Sequence, residues 1–411
     1  MPRKSPQIVG LDIGTTKVCV LIAEPTETGR LHVIGIGSCP SRGMRKGVVV
    51  NLDACVASVK QAIEEAELMA GCAVESAFVG IAGPHVRGLN SRGVVAIAAR
   101  DREATREDVQ RVLEAAGAVN IPSGRDIIHV LPQEFSVDDH TGIHDPVGMT
   151  GSKLEADVHL ITASVTAAQN LVSAVNRAGV EVEGMVLEQL AASEGVLTQD
   201  EKEMGVALVD IGGGTTCLLI FENGAVRHMA VLPVGGDNVT SDIAVGLRTP
   251  VPEAEKIKRR HGCALSSLVD HEDTIEVPSV GGRKSRVLSR QILCEIIQPR
   301  VEEIFGLIAE EFVRSGFDRS IHAGIVLTGG GAMLEGIVEM AEDALDAPVR
   351  RGAPGEIGGL ADPVSTPLYS TAVGLALYGA EQREHPVPRG TDPFFFTRMT
   401  DMVRGWLSEL F

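Results

Sequence analysis

The chain has 411 residues, 44 % of them hydrophobic and 22 % charged, which exceeds one compact core and suits two or more domains. Its formal net charge of −18 excludes a general nucleic-acid binder, which needs surplus Lys and Arg to neutralise phosphates. No apolar run reaches the roughly 18–20 residues of a membrane-spanning helix.

The N-terminal Met1-Pro-Arg-Lys-Ser-Pro6 leads into a strand ending in the polar Asp12, which is no signal-peptide core, so a cytoplasmic chain is expected. The segment Val9-Gly-Leu-Asp12-Ile-Gly14-Thr-Thr-Lys-Val-Cys-Val-Leu21 is echoed by Val206-Ala-Leu-Val-Asp210-Ile-Gly212-Gly-Gly-Thr-Thr-Cys-Leu-Leu-Ile220. In each copy an apolar strand ends in Asp, turns through Gly-Thr-Thr and returns as a second strand. Two such units far apart in sequence predict a duplicated domain whose halves face each other across a cleft. Residues 51–70 then show helical apolar spacing, and 76–82 read as a buried strand. From about Pro84 to Ala163 the pattern changes, as for an inserted unit. It holds a strand at 94–98, a helix opened by Thr105-Arg-Glu-Asp108 in the manner of a capping box, and strands at 126–131 and 157–161. Helices follow at 167–178 and 188–197, and the polar stretch 198–203 separates the first half from the second.

The second half holds the echo hairpin, helices near 238–245 and 252–261, and a polar, strand-rich region at 263–289. A long helix over 289–312 precedes a strand at 323–327, which runs into Gly329-Gly330-Gly331 and a helix predicted over 333–342. The cysteines at 19, 39, 55, 72, 217, 263 and 294 form no CxxC pair, so free thiols in a reducing compartment are expected.

A polyanion needs backbone N–H donors free of side-chain obstruction, which glycine in a β-turn supplies. Gly14-Thr15-Thr16 and Gly212-Gly213-Gly214-Thr215-Thr216 are two such turns, able to clamp a triphosphate from both sides. Asp12 and Asp210, one at each strand end, are placed to hold Mg2+ through its water shell, because Mg2+ sheds water reluctantly. For either copy alone an ordinary hairpin is the alternative. The triple glycine lets backbone approach a flat base or ribose, with a helix N-terminus nearby. It is neither G-x-G-x-x-G in a βαβ setting nor a Walker A loop, so Rossmann and P-loop sites do not fit.

The last residues differ in kind. A Pro/Gly-containing polar linker, 383–393, precedes a helix start at Asp392-Pro393. From there Phe395, Met399, Met402, Val403, Trp406, Leu407 and Leu410 recur along one helical face, with polar residues on the other. Five of the thirteen aromatics, including the only Trp, lie in 394–411. That composition suits a helix lying in a membrane surface; a C-terminal helix docked on its own core is the alternative.

The two hairpins and the triple glycine resemble the actin, sugar-kinase and heat-shock-chaperone ATPase superfamily. Five segments match: 11–18 (with Lys17), 76–83, 206–221, 324–337 and 365–379. The resemblance implies an α/β, actin-like duplicated ATPase fold with two halves around a nucleotide cleft. It places Glu255 and Lys258 where relatives contact ribose and base, a surface ion pair being the alternative, and Glu188 where relatives orient the attacking water. Chaperone and sugar-kinase readings are disfavoured, since no large peptide-binding segment follows residue 380 and no substrate pocket is evident.

The chain resembles one family more closely, the bacterial cell-division FtsA proteins, through stretches that nucleotide chemistry does not require. These include Gly37-Ser-Cys-Pro-Ser-Arg-Gly-Met44, His129-Val-Leu-Pro-Gln-Glu134, Asp145-Pro-Val-Gly148 and Pro278-Ser-Val-Gly-Gly-Arg283. The resemblance implies subdomain 1A at 1–83 and 166–200, an inserted, self-associating subdomain 1C at 84–165, 2A at 201–245 and 324–382, and 2B at 246–323. It implies bound ATP and Mg2+ with weak or no hydrolysis, and polymerisation of the chain with itself. It further implies tethering of tubulin-like FtsZ filaments to the cytoplasmic side of the inner membrane at the septum, with recruitment of downstream division proteins. The FtsZ C-terminal tail is implied to dock on 2B, where Arg286, Arg300 and Glu303 match; solvated helix charges are the alternative. A related pilus-assembly scaffold with the same insertion is the nearest competing reading, and the amphipathic tail argues against it.

Overall fold

The computed structural model describes residues 7–384 apart from 27–29, 99–101, 283, 318–319 and 356. The predicted amphipathic helix 394–411 lies outside the described residues, as does the linker from 385 on. Its first residue, Arg383, belongs instead to the helix Ser370–Glu384 and pairs with Glu183 at 2.6 Å.

Two sheets repeat one plan. In the first half the strands run Glu181–Leu187, Ser76–Ile81, Ile8–Ile13, Lys17–Pro25 and Leu31–Pro40, with Gly358–Gly359 added at the edge. In the second, Val349–Arg351, Ile325–Thr328, Val206–Ile211, Thr216–Glu222 and Ala225–Leu232 hold the corresponding places. Each central hairpin is antiparallel, and each of its first strands has a parallel neighbour on the other side. Asp12 pairs with Cys19 and Asp210 with Cys217, so each Asp stands one residue pair before the turn. The register refines the echo. Gly14 corresponds to Gly212, but Thr15 and Thr16 correspond to Gly213 and Gly214, and Lys17 to Thr215. Ladder pairing, rather than identity of letters, sets which groups reach the cleft.

All of Ile8–Ile13 is buried, as expected of a strand covered on both faces. The helix Leu52–Ala70 lies on one side of this sheet, capped by Asn51 and by Gly71 at φ 68°. The helix Ser370–Glu384 packs against the strand Ile8–Ile13 and the helix Glu188–Val196. The close approaches need glycine. A Cβ at Gly37 would lie 1.9 Å from the Ala62 carbonyl oxygen, and one at Gly374 1.8 Å from that of Ala191.

Between the strand Ser76–Ile81 and the helix Val165–Arg177 the chain forms a separate antiparallel sheet, Arg87–Ala96, Lys153–Ser164, Arg125–Val137 and His140–Ile143, packed against the helix Arg106–Gly117. Thr105 and Asp108 form the predicted capping box. Val112, Phe135, Leu154, Val158 and Leu160 make its own core. Its strands outrun their apolar signals. Arg87–Ala96 begins well before Val94 because pairing with Lys153–Ser164 satisfies a backbone whose side chains are largely polar.

Three further readings change. Within 198–203 lies a short helix, Gln199–Met204, capped by Thr198 and Glu201, and Glu201 accepts two bonds from Arg350 at 2.6 and 2.7 Å. Region 263–289 holds one ladder, Thr274–Val277 with Arg286–Ser289. After the triple glycine comes a 3-10 turn, Gly330–Met333, and the α-helix starts only at Ile337, where Gly336 at φ 72° breaks the run. The long helix is Arg290–Ser315, burying Leu293, Ile297, Val301, Phe305 and Phe312 along its inner side.

Candidate functional site

A cavity of about 1040 Å³ opens between the two halves. It is lined by Asp12, Gly14, Thr15, Thr16 and Lys17 from the first hairpin and by Asp210, Gly212, Gly213 and Thr215 from the second. Gly329, Gly330, Gly331, Glu188, Glu255 and Lys258 complete the wall. Of the residues predicted to hold the nucleotide, two stand apart from the lining. Thr216 is buried and donates to the Val234 carbonyl at 2.9 Å, a structural bond. Gly214 sits behind the cavity, where a Cβ would lie 2.9 Å from both Thr15 Oγ1 and Lys46 Cα.

The two turns meet face to face. A Cβ at Gly213 would lie 2.4 Å from Thr16 Cγ2, so glycine is required for the halves to approach this closely. The loop after Leu232 is stitched to the second turn: Gly236 N donates to Gly212 O at 2.9 Å and Asp237 N to Gly213 O at 2.8 Å. The helix Gly236–Gly246 therefore starts at the cleft, and its N-terminus supplies the positive end expected there. The helix after the triple glycine, expected there from the sequence, also borders the cavity through its first residue, Ile337.

Three carboxylates share the cleft floor with one ammonium. Burial holds Asp12 above its ordinary value against the pull of Lys17, 3.8 Å away. Burial, then Asp12, hold Asp210 at about 7. Burial, then Asp12 and Asp210, raise Glu188 well above the carboxylate range. Gly80 makes room for it, since a Cβ there would lie 2.9 Å from Glu188 Cγ. Lys17 donates to the Leu368 carbonyl at 2.6 Å and sits 4.5 Å from the Tyr369 ring centroid, so its charge is held in place. A cleft that stores acidic charge without full compensation suits a bound cation, and the glycine cradle suits a polyanion.

Glu255 and Lys258 are paired at 2.7 Å and also line the cleft, so the ion pair and the site are one feature. Thr240 donates to Glu255 and accepts from Lys258 at 2.8 Å, tying the helix Val251–His261 to the helix Gly236–Gly246. Arg286, Arg300 and Glu303 are elsewhere. Arg286 bonds the Leu247 carbonyl at the C-terminus of Gly236–Gly246, and Arg300 grips Asp242 at 2.6 and 3.2 Å and also pairs with Glu303.

Sequence reasoning missed Lys46 and Gly47. They form the tip of a small hairpin, Met44–Arg45 with Val48–Val49, at φ 48° and 73°. A left-handed conformation costs a non-glycine residue about 1–2 kcal/mol, so Lys46 is held there by its surroundings. The signal was present in Gly43-Met-Arg-Lys-Gly47, a glycine-flanked hairpin run that begins at the end of the stretch 37–44, which was read only for its family likeness. Leu368 and Tyr369 carried no comparable signal.

Duplicated sheets, a glycine-lined cleft and one acidic strand end from each half define an actin-like class of fold. Solved structures agree on that fold. The chain aligns with a PilM-PilN type IV pilus biogenesis complex at TM-score 0.67, 17 % identity, over 91 % of this chain and 98 % of that one. It aligns with MreB5 of Spiroplasma citri bound to ADP at TM-score 0.54, 16 % identity, over 93 % and 100 %. The family model described as "Cell division protein FtsA" matches residues 207–374, and that described as "SHS2 domain inserted in FTSA" matches 83–162. The cell division protein FtsA of Pseudomonas aeruginosa is 54 % identical over 381 residues, 93 % of this chain and 91 % of its own. The chain belongs to the FtsA family.

Proposed function

We propose that the cleft binds ATP with Mg2+, and that the protein polymerises and anchors FtsZ filaments to the cytoplasmic face of the inner membrane at the division septum. The opposed turns carry the nucleotide reading. Backbone at Gly14 and at Gly212–Gly213 would cradle the phosphates, Asp12 and Asp210 would hold Mg2+ through its waters, and Glu255 with Lys258 would border the ribose and base. Glu188 is the residue placed to orient a water, with weak turnover or none expected. Family membership supports the division role: self-association through 84–165, docking of the FtsZ tail on 246–323 near Arg286, Arg300 and Glu303, and recruitment of downstream division proteins. The amphipathic spacing of 394–411 supports membrane attachment. The pilus-complex likeness, at 17 % identity, supports the fold alone.

Replacing Gly213 tests the carrying observation. A Cβ there already overlaps Thr16, so Gly213→Val should leave no saturable binding of radiolabelled ATP while circular dichroism stays native. Normal ATP binding by that variant would overturn the two-turn clamp.

A further inference from the structure

The small hairpin Met44–Arg45/Val48–Val49 reaches from the first half to both phosphate turns and to the loop beside the second. Both residues of its two-residue tip have positive φ, the type I′ geometry that favours Asn-Gly. Lysine is an unfavourable choice at the first tip position. Its ammonium explains the choice. Lys46 Nζ leaves the first half and donates to the Pro233 carbonyl of the second at 2.7 Å. Pro233 opens the loop whose next residues are bonded to the second phosphate turn, through Gly236 N to Gly212 O and Asp237 N to Gly213 O. The tip also touches both turns directly. Gly47 N donates to Thr15 Oγ1 at 3.2 Å, and Lys46 Cα would lie 2.9 Å from a Cβ on Gly214. Behind the tip is the root of the inserted sheet, where a Cβ on Gly47 would lie 2.5 Å from the Ala82 carbonyl oxygen and one on Gly83 2.9 Å from that of Lys46.

We propose that Lys46 discriminates nucleoside triphosphate from diphosphate. With no third phosphate between the turns, its ammonium holds the Pro233 carbonyl and ties the halves together. A terminal phosphate held in the cleft near Thr15 and Gly213 would offer a charged acceptor beside the hairpin tip, where the Lys46 backbone already abuts the second turn. The ammonium transfers to it, because a charge-assisted bond to an anion outweighs one to a neutral carbonyl. Release of Pro233 then frees the loop that starts the helix Gly236–Gly246. The proposal rests on the nucleotide reading of the cleft and goes beyond it by assigning the residue that reads the third phosphate.

Lys46→Gly tests it without endangering the fold, since glycine suits φ 48° better than lysine. Binding of the non-hydrolysable triphosphate AMPPNP and of ADP, each with Mg2+, is measured by calorimetry on the full chain. The wild type should prefer AMPPNP. Lys46→Gly should lose about tenfold or more in AMPPNP affinity with ADP affinity little changed, and Lys46→Arg, which keeps the cation, should retain most of the preference. An unchanged AMPPNP-to-ADP ratio in Lys46→Gly overturns the proposal and leaves the nucleotide site intact. Equal losses for both nucleotides overturn it in favour of a structural strap. Failure of the wild type to bind either one overturns the site reading itself, and the proposal with it.

Discussion

At the scale of single residues, the cleft is a place where charge is stored. Asp210 stands at about 7 against an ordinary 3.8, held up by burial and by Asp12. A raised carboxyl pKa means the folded cleft keeps a proton that the unfolded chain has released. The stabilisation from this group is thus complete below about pH 4 and is lost as pH climbs toward about 7. Asp210→Asn carries no ionisable group, so the nucleotide-free variant should melt several degrees above wild type at about pH 8, with the gap closing by about pH 4. A gap that does not change with pH in calorimetric scans would show that the carboxylate is already compensated. The residue scale was partly legible in sequence. Asp12, Asp210 and the glycines announced themselves by repetition, whereas the contacts of Lys46, Leu368 and Tyr369 are with residues remote in the chain, and no local pattern encodes those contacts.

At the scale of elements, the long helix Arg290–Ser315 carries Arg300, proposed for partner docking and here bonded within the chain. Arg300 is forked onto Asp242 of the neighbouring helix and also pairs with Glu303. Partly exposed pairs of this kind contribute only about 0–1 kcal/mol, so an acidic peptide able to offer a better-buried carboxylate can take the guanidinium. Arg300→Glu should weaken capture of an FtsZ tail peptide by about 1–3 kcal/mol without changing ATP binding. Asp242→Asn, which frees Arg300, should strengthen it. Fluorescence anisotropy returning one affinity for wild type and both variants would move the docking site off this helix. Element boundaries were readable where apolar spacing was strong, as in Leu52–Ala70, and failed where backbone pairing or glycine conformation decided, as in Arg87–Ala96 and at Gly336.

At the scale of the whole molecule, the proposed membrane attachment rests on the spacing of apolar residues in 394–411. The tail has two Arg facing two acids, so its affinity must come from apolar burial, about 1.5–3 kcal/mol per large side chain less the cost of ordering. On the proposed reading one copy would bind a membrane reversibly, and self-assembly would add avidity without new contacts. Trp406 lies mid-stripe between Met402, Val403 and Leu410. If the predicted apolar face lies in the membrane surface, Trp406→Glu would put a charge at its centre at a cost of several kcal/mol, comparable to the whole binding energy of one helix. Below the polymerisation threshold the variant should no longer float with anionic liposomes, and flotation at wild-type levels would favour a helix docked on the protein body.

The sequence by itself determined the duplication, the two acidic strand ends, the glycine turns and the amphipathic tail, because each is a local pattern of residue type and spacing. Only the tertiary structure decided how the copies meet. Strand register set Lys17, not a threonine, opposite Thr215 in the duplicated plan, and bare backbone at Gly213 and Gly214 lets the turns touch. Likewise, the placing of the helix Gly236–Gly246 at the cleft and of the Lys46 ammonium on the Pro233 carbonyl depends on which distant segments the fold brings within hydrogen-bonding range. Those contacts join residues far apart in the chain, and the cost of closing such loops is met only when the two cores pack together, so no window of sequence could reveal them.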